Sequence, residues 1–510
     1  MLSLKRTLCI VVVVMLAVSI AFAGCSSTKE DTKAPTQSPS TEGEAKKEDA
    51  KPAEKVKLVI SMLRAGHTNF PEGMDENNNP ISDFIREKTG YDVQFKLYTD
   101  AEQLNMLIAS GEPMDAFSFY DRAAFAEYYT QGILADITEH VKKSANIMKE
   151  TPENVWKAVT MDGKIYALPE TWIAPIWGFQ VRTDWMEELG IQSPQNIDQL
   201  YAMFKAFKDK KGAAGITIDN NGAYGPGQQP LLFGLFDLPH EFVEKDGKVI
   251  YTNIDPRAKE ALIFANKLYK DGLLDKEFAV NKPENIQTKI VGGNVGSIVS
   301  FYWTARTYQQ GVKEKTGKDV FKFIDPPKTA SGKEFKFSQA GPIQLLVGVT
   351  KASKHQAEAV DFFSRLLDEE IAYRVGIGEE GVQYKKAADG KIELVPEEIA
   401  KIEYKWHYFD NLFYNDKVLY LQEDAQWADT KVPQYKWVGG SETWNIYGYI
   451  QPLPEFSKTI ANLRDLTNKA YVDFIVGQRS IDEFDAYVQE WMDNGGKDVL
   501  AKVNEVYYAK

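Results

Sequence analysis

The sequence is poor in cysteine and histidine. Among 510 residues there are 2 cysteines and 5 histidines. The two cysteines, Cys9 and Cys25, both lie near the start. All that follows them lacks a thiol, which excludes a disulfide scaffold and cysteine-ligated zinc from the body of the chain. A chain of this length buries enough apolar surface to be stable without such staples. Positive charge is not in excess either: 60 Lys and Arg stand against 73 Asp and Glu, a formal net charge of −13. That balance argues against nucleic acid and against tight docking on anionic lipid. It leaves room for an anionic ligand, because a few local cations decide that. No fixed-period repeat is present, which excludes solenoids and propellers.

One apolar run stands out, from Leu8 to Ala23, preceded by Lys5 and Arg6. It is shorter than the roughly 20 apolar residues of a spanning helix and has the charged-then-apolar layout of an export signal. It ends in "FAGC", which resembles a bacterial lipobox, in which the cysteine takes diacylglycerol and becomes the first mature residue. Residues 1–24 are therefore expected to be removed and Cys25 to be lipidated. Removal takes away Lys5 and Arg6 and no acid, so the formal charge moves to −15. Residues 25–55 then form a tether, since "STKEDTKAPTQSPSTEGEAKKEDAKPAEK" has no aromatic residue and cannot offset its ordering entropy by burial.

The remainder is too long for one ordinary domain and predicts two lobes. "KLVISML" (57–63), "DVQFKLY" (92–98) and "DAFSFY" (115–120) read as strands separated by helices ending at Gly90 and Gly111. Such alternation predicts a parallel sheet whose ligands lie beyond the strands' carboxyl ends. Arg64 to Asn69 and Phe119 to Asp121 are then rim positions. Asn196 with Gln199, Ser353 with Gln356, and Ser480 with Glu483 have capping-box spacing.

From here the motifs resemble a family. "LNMLIASGEPMDAF", "MDGKIYALPE", "IWGFQVRTDWMEELGIQSPQNIDQLYAMFKAFKD", "GNVGSIVSFYW", "VTKASKHQAEAVDFFSRLLDEE" and "GEEGVQY" occur in the order found in extracellular solute-binding proteins, family 1, of bacterial ABC importers. The resemblance is greatest to the large lipoprotein type of Gram-positive bacteria, associated with oligosaccharide uptake, and to alginate-oligosaccharide receptors. It implies an α/β, two-lobe periplasmic-binding-protein-like fold with a hinge and a ligand cleft between the lobes. Transferred crossings give a first lobe of 56–175 plus 336–375 and a second of 176–335 plus 376–510. The implied partners are an oligosaccharide, the permease subunits and, through the lipid, the outer face of the cell membrane. The receptor is expected to act as a monomer, without cofactor.

A sugar presents apolar C–H faces ringed by hydroxyls, so its site needs aromatic platforms and planar polar groups. Aromatic candidates are Trp172 and Trp177 near the first crossing, Tyr302 and Trp303 after "GNVGSIVSF", Trp406 beside His407, and Trp444. The resemblance gives Trp303 the place of a stacking tryptophan. Polar candidates are Arg64, His67, Asp115, Asp121 and Glu170, with Glu380 and Tyr384 in the family's "GEEGVQY" pattern. Some relatives carry a calcium loop after the helix corresponding to "LYAMFKAFK". Here that place reads "DKKGAAGITIDNNG", with Lys210 and Lys211 where oxygen ligands are required, so no metal is expected. An anchored polysaccharide-degrading enzyme would need two carboxylates about the scissile bond. The chain has no nucleophile elbow and no His-rich metal motif, and a binding role without catalysis is expected. A nutrient sensor that signals without transport shares every feature above.

Overall fold

The computed structural model describes residues 55–509 except 67, 172–175, 219–223, 227, 339–340, 389, 414–415 and 440–443. The lipobox, the tether, His67, Trp172 and Asp219 to Asn221 lie outside the described residues. Eight strands build the two larger sheets: β1 (Lys57–Leu63), β2 (Asp92–Tyr98), β3 (Ala116–Phe119), β4 (Leu168–Thr171), β5 (Trp177–Arg182), β6 (Ser297–Phe301), β7 (Phe321–Phe323) and β8 (Ile343–Val349).

The first sheet runs β2-β1-β3-β8-β4. β1 is parallel to β2 and β3, as the strand–helix alternation predicts. The intervening helices stop where glycine supplies a left-handed residue: Gly90 has φ 77° and Gly111 φ 69°. β8 departs from a purely parallel sheet, pairing antiparallel with both β3 and β4. It enters this sheet from the other lobe, so its direction is set by the return of the chain and not by a βαβ crossover.

The second sheet runs β6-β5-β7, antiparallel throughout. β5 is central and all six of its residues are buried. Gly296, just before β6, allows close packing: a Cβ there would lie 2.4 Å from Phe207 Cδ2. Phe207 belongs to the Ile197–Lys211 helix, whose Leu200, Met203, Phe204 and Phe207 form its buried stripe.

Each sheet carries its own core. Leu58, Ile60, Phe95, Phe117, Leu168 and Val347 lie in one cluster; Phe179, Val181, Phe204, Leu262, Tyr471 and Val503 lie in the other. Between these two clusters the buried side chains change over from Leu168 to Ile176, from Phe337 to Leu345 and from Val418 to Trp437, and a third, smaller cluster holds Ile286, Ile290, Ile298, Tyr308, Val312 and Phe321. At the third change the cores divide the chain differently from the expected lobe borders. Ile377, Tyr384, Trp406, Tyr408, Phe413 and Val418 pack in the first core, whereas the sequence assigned 376–510 entirely to the second lobe. The physical reason is the apolar run "WHYFDNLF", which fills the space beside β1, where Tyr408 meets Phe95 edge-on at 5.2 Å.

The capping expectations divide. Asn196 accepts from Gln199 N at 2.9 Å, while the Gln199 side chain accepts from Gln195 N, one residue earlier than a capping box requires. Ser480 and Glu483 complete the box. Ser353 does not cap a helix; it binds Asp115.

Candidate ligand-binding cleft

The first lobe's rim is built by the turn after β3. Asp121 caps the Arg122–Thr130 helix, its Oδ1 accepting from Ala123 N at 2.7 Å. The cap turns Arg122 toward the second lobe, where it donates to the carbonyls of Tyr447 and, at 2.6 Å, Ile450. Its guanidinium carbon lies 5.4 Å from the centroid of the Tyr447 ring. Arg464 comes within 5.8 Å of the same ring and is held by Glu241 through two bonds of 2.9 and 2.7 Å. Burial pulls Arg122 below its ordinary pKa, whereas Glu241 pushes Arg464 above its own. Guanidinium remains charged in either case.

These groups enclose a cavity of 290 Å³ lined by Asp121, Arg122, Pro342, Asn445, Tyr447 and Arg464. Through Asn445 and Arg464 it adjoins a second space of 270 Å³, bordered by His240, Glu241, Asn253 and Asn468. Both lobes and the second crossing contribute, which makes this an inter-lobe cleft. Also at the first lobe's rim, Tyr120 Oη reaches the Asp410 carbonyl at 2.6 Å and Asn411 Oδ1 at 3.0 Å. Burial, followed by the charges of Asp410 and Glu170, holds the Tyr120 hydroxyl well above its ordinary pKa.

At the end of β6 three rings stack. Trp177 lies on Phe301 at 4.2 Å and Phe301 on Trp303 at 4.4 Å, the last pair only 6° from parallel. Trp177 is buried, while Trp303 is 36% exposed. Tyr302 turns inward and donates to Glu423 Oε1 at 2.6 Å. Glu423 also receives Lys431 Nζ at 3.0 Å, and Lys431 reaches Asp424 at 2.9 Å. The first helical turn after β6 therefore splits its aromatic residues between anchoring and exposure.

Residues 69–373 match the family model of bacterial extracellular solute-binding proteins. The chain belongs to that family. It is 24% identical to lipoprotein LipO of Bacillus subtilis, over 84% of this chain and 89% of that one. It is 22% identical to the polygalacturonan/rhamnogalacturonan-binding protein YtcQ of the same organism, over 98% of both. Among solved structures it resembles the alginate-binding protein AlgQ2 without calcium ion, with TM-score 0.69 and 20% identity over 90% of this chain and 99% of that one. The two-lobe α/β arrangement is thus that of a solute-binding protein.

Within this solute-binding protein the residues singled out from sequence scatter. Asp121 lines the cleft, and Trp303 offers a partly exposed ring at the end of β6. Glu170 is buried on β4, next to β8. Tyr384 and Trp406, expected on a binding face, lie in the first core, 4% and 5% exposed. Trp177 and Tyr302 are buried as well. Arg64 is exposed and donates to Asn69 Oδ1 at 2.7 Å. Glu380 sits 3.6 Å from Lys386 in a turn where Gly381 has φ 84°. Asp115 accepts from Val59 N at 2.8 Å and ties β3 to β1. Trp444 stacks on Tyr449 at 5.2 Å and faces a different cavity. No cluster of His, Cys, Asp and Glu suited to a metal occurs among the described residues.

Arg122, Asn445, Tyr447 and Arg464 were not singled out from sequence. Two signals could have found them. Arg122 follows a capping aspartate at a strand's carboxyl end, and Arg464 interrupts the flank of the Ile460, Leu463, Thr467, Ala470 stripe.

Proposed function

We propose that this solute-binding protein is the lipid-anchored receptor of an ABC importer and that it binds a carboxylate-bearing oligosaccharide between its lobes. The observation that carries the reading is the pair of guanidiniums about Tyr447, one from each lobe. Arg122 and Arg464 each use two N–H groups in the bonds described, and a guanidinium has five. Donors remain for a uronate carboxylate, the planar acid that guanidinium pairs with best. Trp303 supplies an apolar face of the kind a sugar ring stacks on. The ligands in the names of YtcQ and AlgQ2, polygalacturonan, rhamnogalacturonan and alginate, support the same choice. Closure is a hinge motion about the crossings, stabilised by a ligand that touches both lobes. We take the lobes as 56–171 plus 343–425 and 176–337 plus 437–509, following the cores. Cys25 carries the lipid, in keeping with the name of LipO.

Calorimetric titration with tetragalacturonate and with a neutral fructotetraose tests the ligand class. The expected result is saturable binding of the acidic sugar, at least tenfold tighter than the neutral one, with both recovered uncleaved. Preference for the neutral sugar overturns the carboxylate, and turnover of either overturns the receptor. Unmodified Cys25 in the mature protein, found by mass spectrometry, overturns the anchor.

A further inference from the structure

The stretch Trp444 to Ile450 has two sides. Asn445, Tyr447 and Gly448 face the cleft. Trp444, Ile446, Tyr449 and Ile450 face another cavity, of 1050 Å³, larger than the cleft spaces. This cavity too is bordered by both lobes. Lys157 comes from the first, in the 3-10 turn Glu153–Val159, and Lys336 and Tyr507 lie across from it. Its volume reaches the upper end of the about 300–1,000 Å³ of pockets that hold drug-sized ligands, room for several sugar rings.

Its lining has the chemistry of a sugar site. Trp444 and Tyr449 stack within 19° of parallel and form a flat aromatic platform. Among the described residues the Trp444 indole Nε1 has no hydrogen-bond partner, a buried donor beside that platform. The hydrogen bonds of two rim ammonium groups run to backbone carbonyls: Lys157 to Ala509 O at 2.9 Å and Tyr507 O at 3.3 Å, Lys336 to Lys436 O at 2.8 Å. A neutral carbonyl is a weaker partner for ammonium than a carboxylate. Glu153 and Glu244 add acceptors for hydroxyl groups.

We infer that this cavity is a second binding site for a carboxylate-bearing oligosaccharide, separated from the cleft by the single stretch 444–450. It rests on the ligand class proposed above. Because one stretch of backbone lines both sites, occupancy of either shifts the affinity of the other, and by the same factor in both directions.

The test is calorimetry of the full chain with tetragalacturonate, comparing wild type, Trp303→Ala, Trp444→Ala and Lys157→Gln. Wild type is expected to show two binding events. Trp444→Ala should weaken one by tenfold or more and keep the other, and Lys157→Gln should weaken that same event severalfold. Trp303→Ala should act on the remaining event. Circular dichroism checks that each variant is folded, and Lys157→Gln decides if Trp444→Ala is not. A single event in wild type, untouched by Trp444→Ala and Lys157→Gln, overturns the second site and leaves the cleft reading standing. Absence of binding to both tetragalacturonate and fructotetraose overturns the two together.

Discussion

Neighbouring residues at the end of β6 behave oppositely. Tyr302 is 1% exposed and spends its hydroxyl on Glu423, while Trp303 shows a third of its surface. Both were legible as aromatic residues after a glycine-rich approach, but which faced solvent depended on the helix beginning at Tyr302 itself. The same limit applies to Tyr384 and Trp406, whose residue type suits a platform as well as a core. Trp303→Ala is expected to weaken oligosaccharide binding about tenfold or more, the loss of about 1–2 kcal/mol of stacking. Its effect on stability should fall short of the about 3–5 kcal/mol lost with a fully buried tryptophan. Calorimetry alongside a denaturation curve measures both, and unchanged affinity with strong destabilisation would assign Trp303 to the core.

Two ionisable residues beside the third crossing make stability depend on pH. Burial pulls the Lys405 amine down to about 7, and burial pushes the Asp410 carboxyl up to about 7. Between about pH 4 and 7 the folded chain keeps a proton on Asp410 that the unfolded chain has lost, so stability from this group falls as pH rises. Between about pH 7 and 10 the folded chain has released the Lys405 proton that the unfolded chain still binds, so stability from this group rises with pH. Lys405 is fully enclosed, bonded to Gly376 O and lying 4.3 Å from the Trp406 ring. Lys405→Met should remove the alkaline rise. The melting temperature of wild type relative to the variant is expected to increase from pH 7 to pH 10, and a constant difference would show that Lys405 keeps its ordinary pKa.

At the scale of elements, local chemistry was the part most readable in advance. The helices closing at Gly90 and Gly111, the β1 and β2 ranges and the Ser480 box depend on residues within a few positions of one another. β8 could not be oriented that way, because both of its partners are distant in sequence. Nor could Ser353, which follows helix-start spacing but is taken by Asp115, the residue just before β3. Gly296 illustrates a constraint of this longer-range kind, since its missing Cβ admits Phe207 and brings the Ile197–Lys211 helix against β6. Gly296→Ala is expected to cost about 1–3 kcal/mol through overpacking. Chemical denaturation should show it as a lower midpoint with an unchanged slope, and a neutral effect would mean that Phe207 moves aside freely.

For the whole molecule, the cleft arginines were the least accessible to sequence. Arg122 and Arg464 meet over Tyr447 only because chain segments far apart in sequence converge there, and composition had indicated an acidic surface. The three changes of cluster that bring them together also interleave the two cores. Neither core is a continuous piece of chain: the first includes residues from Tyr404 to Val418, and the second residues from Ile460 to Val506. A chain ending near residue 400 should therefore be unable to complete either core. Expressed in that form, it is expected to lack a cooperative thermal transition and to bind a hydrophobic dye, whereas a sharp transition would mean that the first lobe closes without its third segment.

The interleaving also sets an order of events in time. A polypeptide leaves the ribosome, or an export pore, amino end first. By the time Leu168 has emerged, β1, β2, β3 and the helices between them are present, yet β8, which lies between β3 and β4, is still to come. Val347 follows nearly two hundred residues later, and Val418 later still. At the about 5–20 residues per second of synthesis, that interval lasts on the order of ten seconds or more, far longer than local helices take to form. Through it the edge of β3 that later pairs with β8 stays open, and an unpaired strand edge is a template for wrong pairing, so the half-delivered chain is more exposed to aggregation than the finished fold.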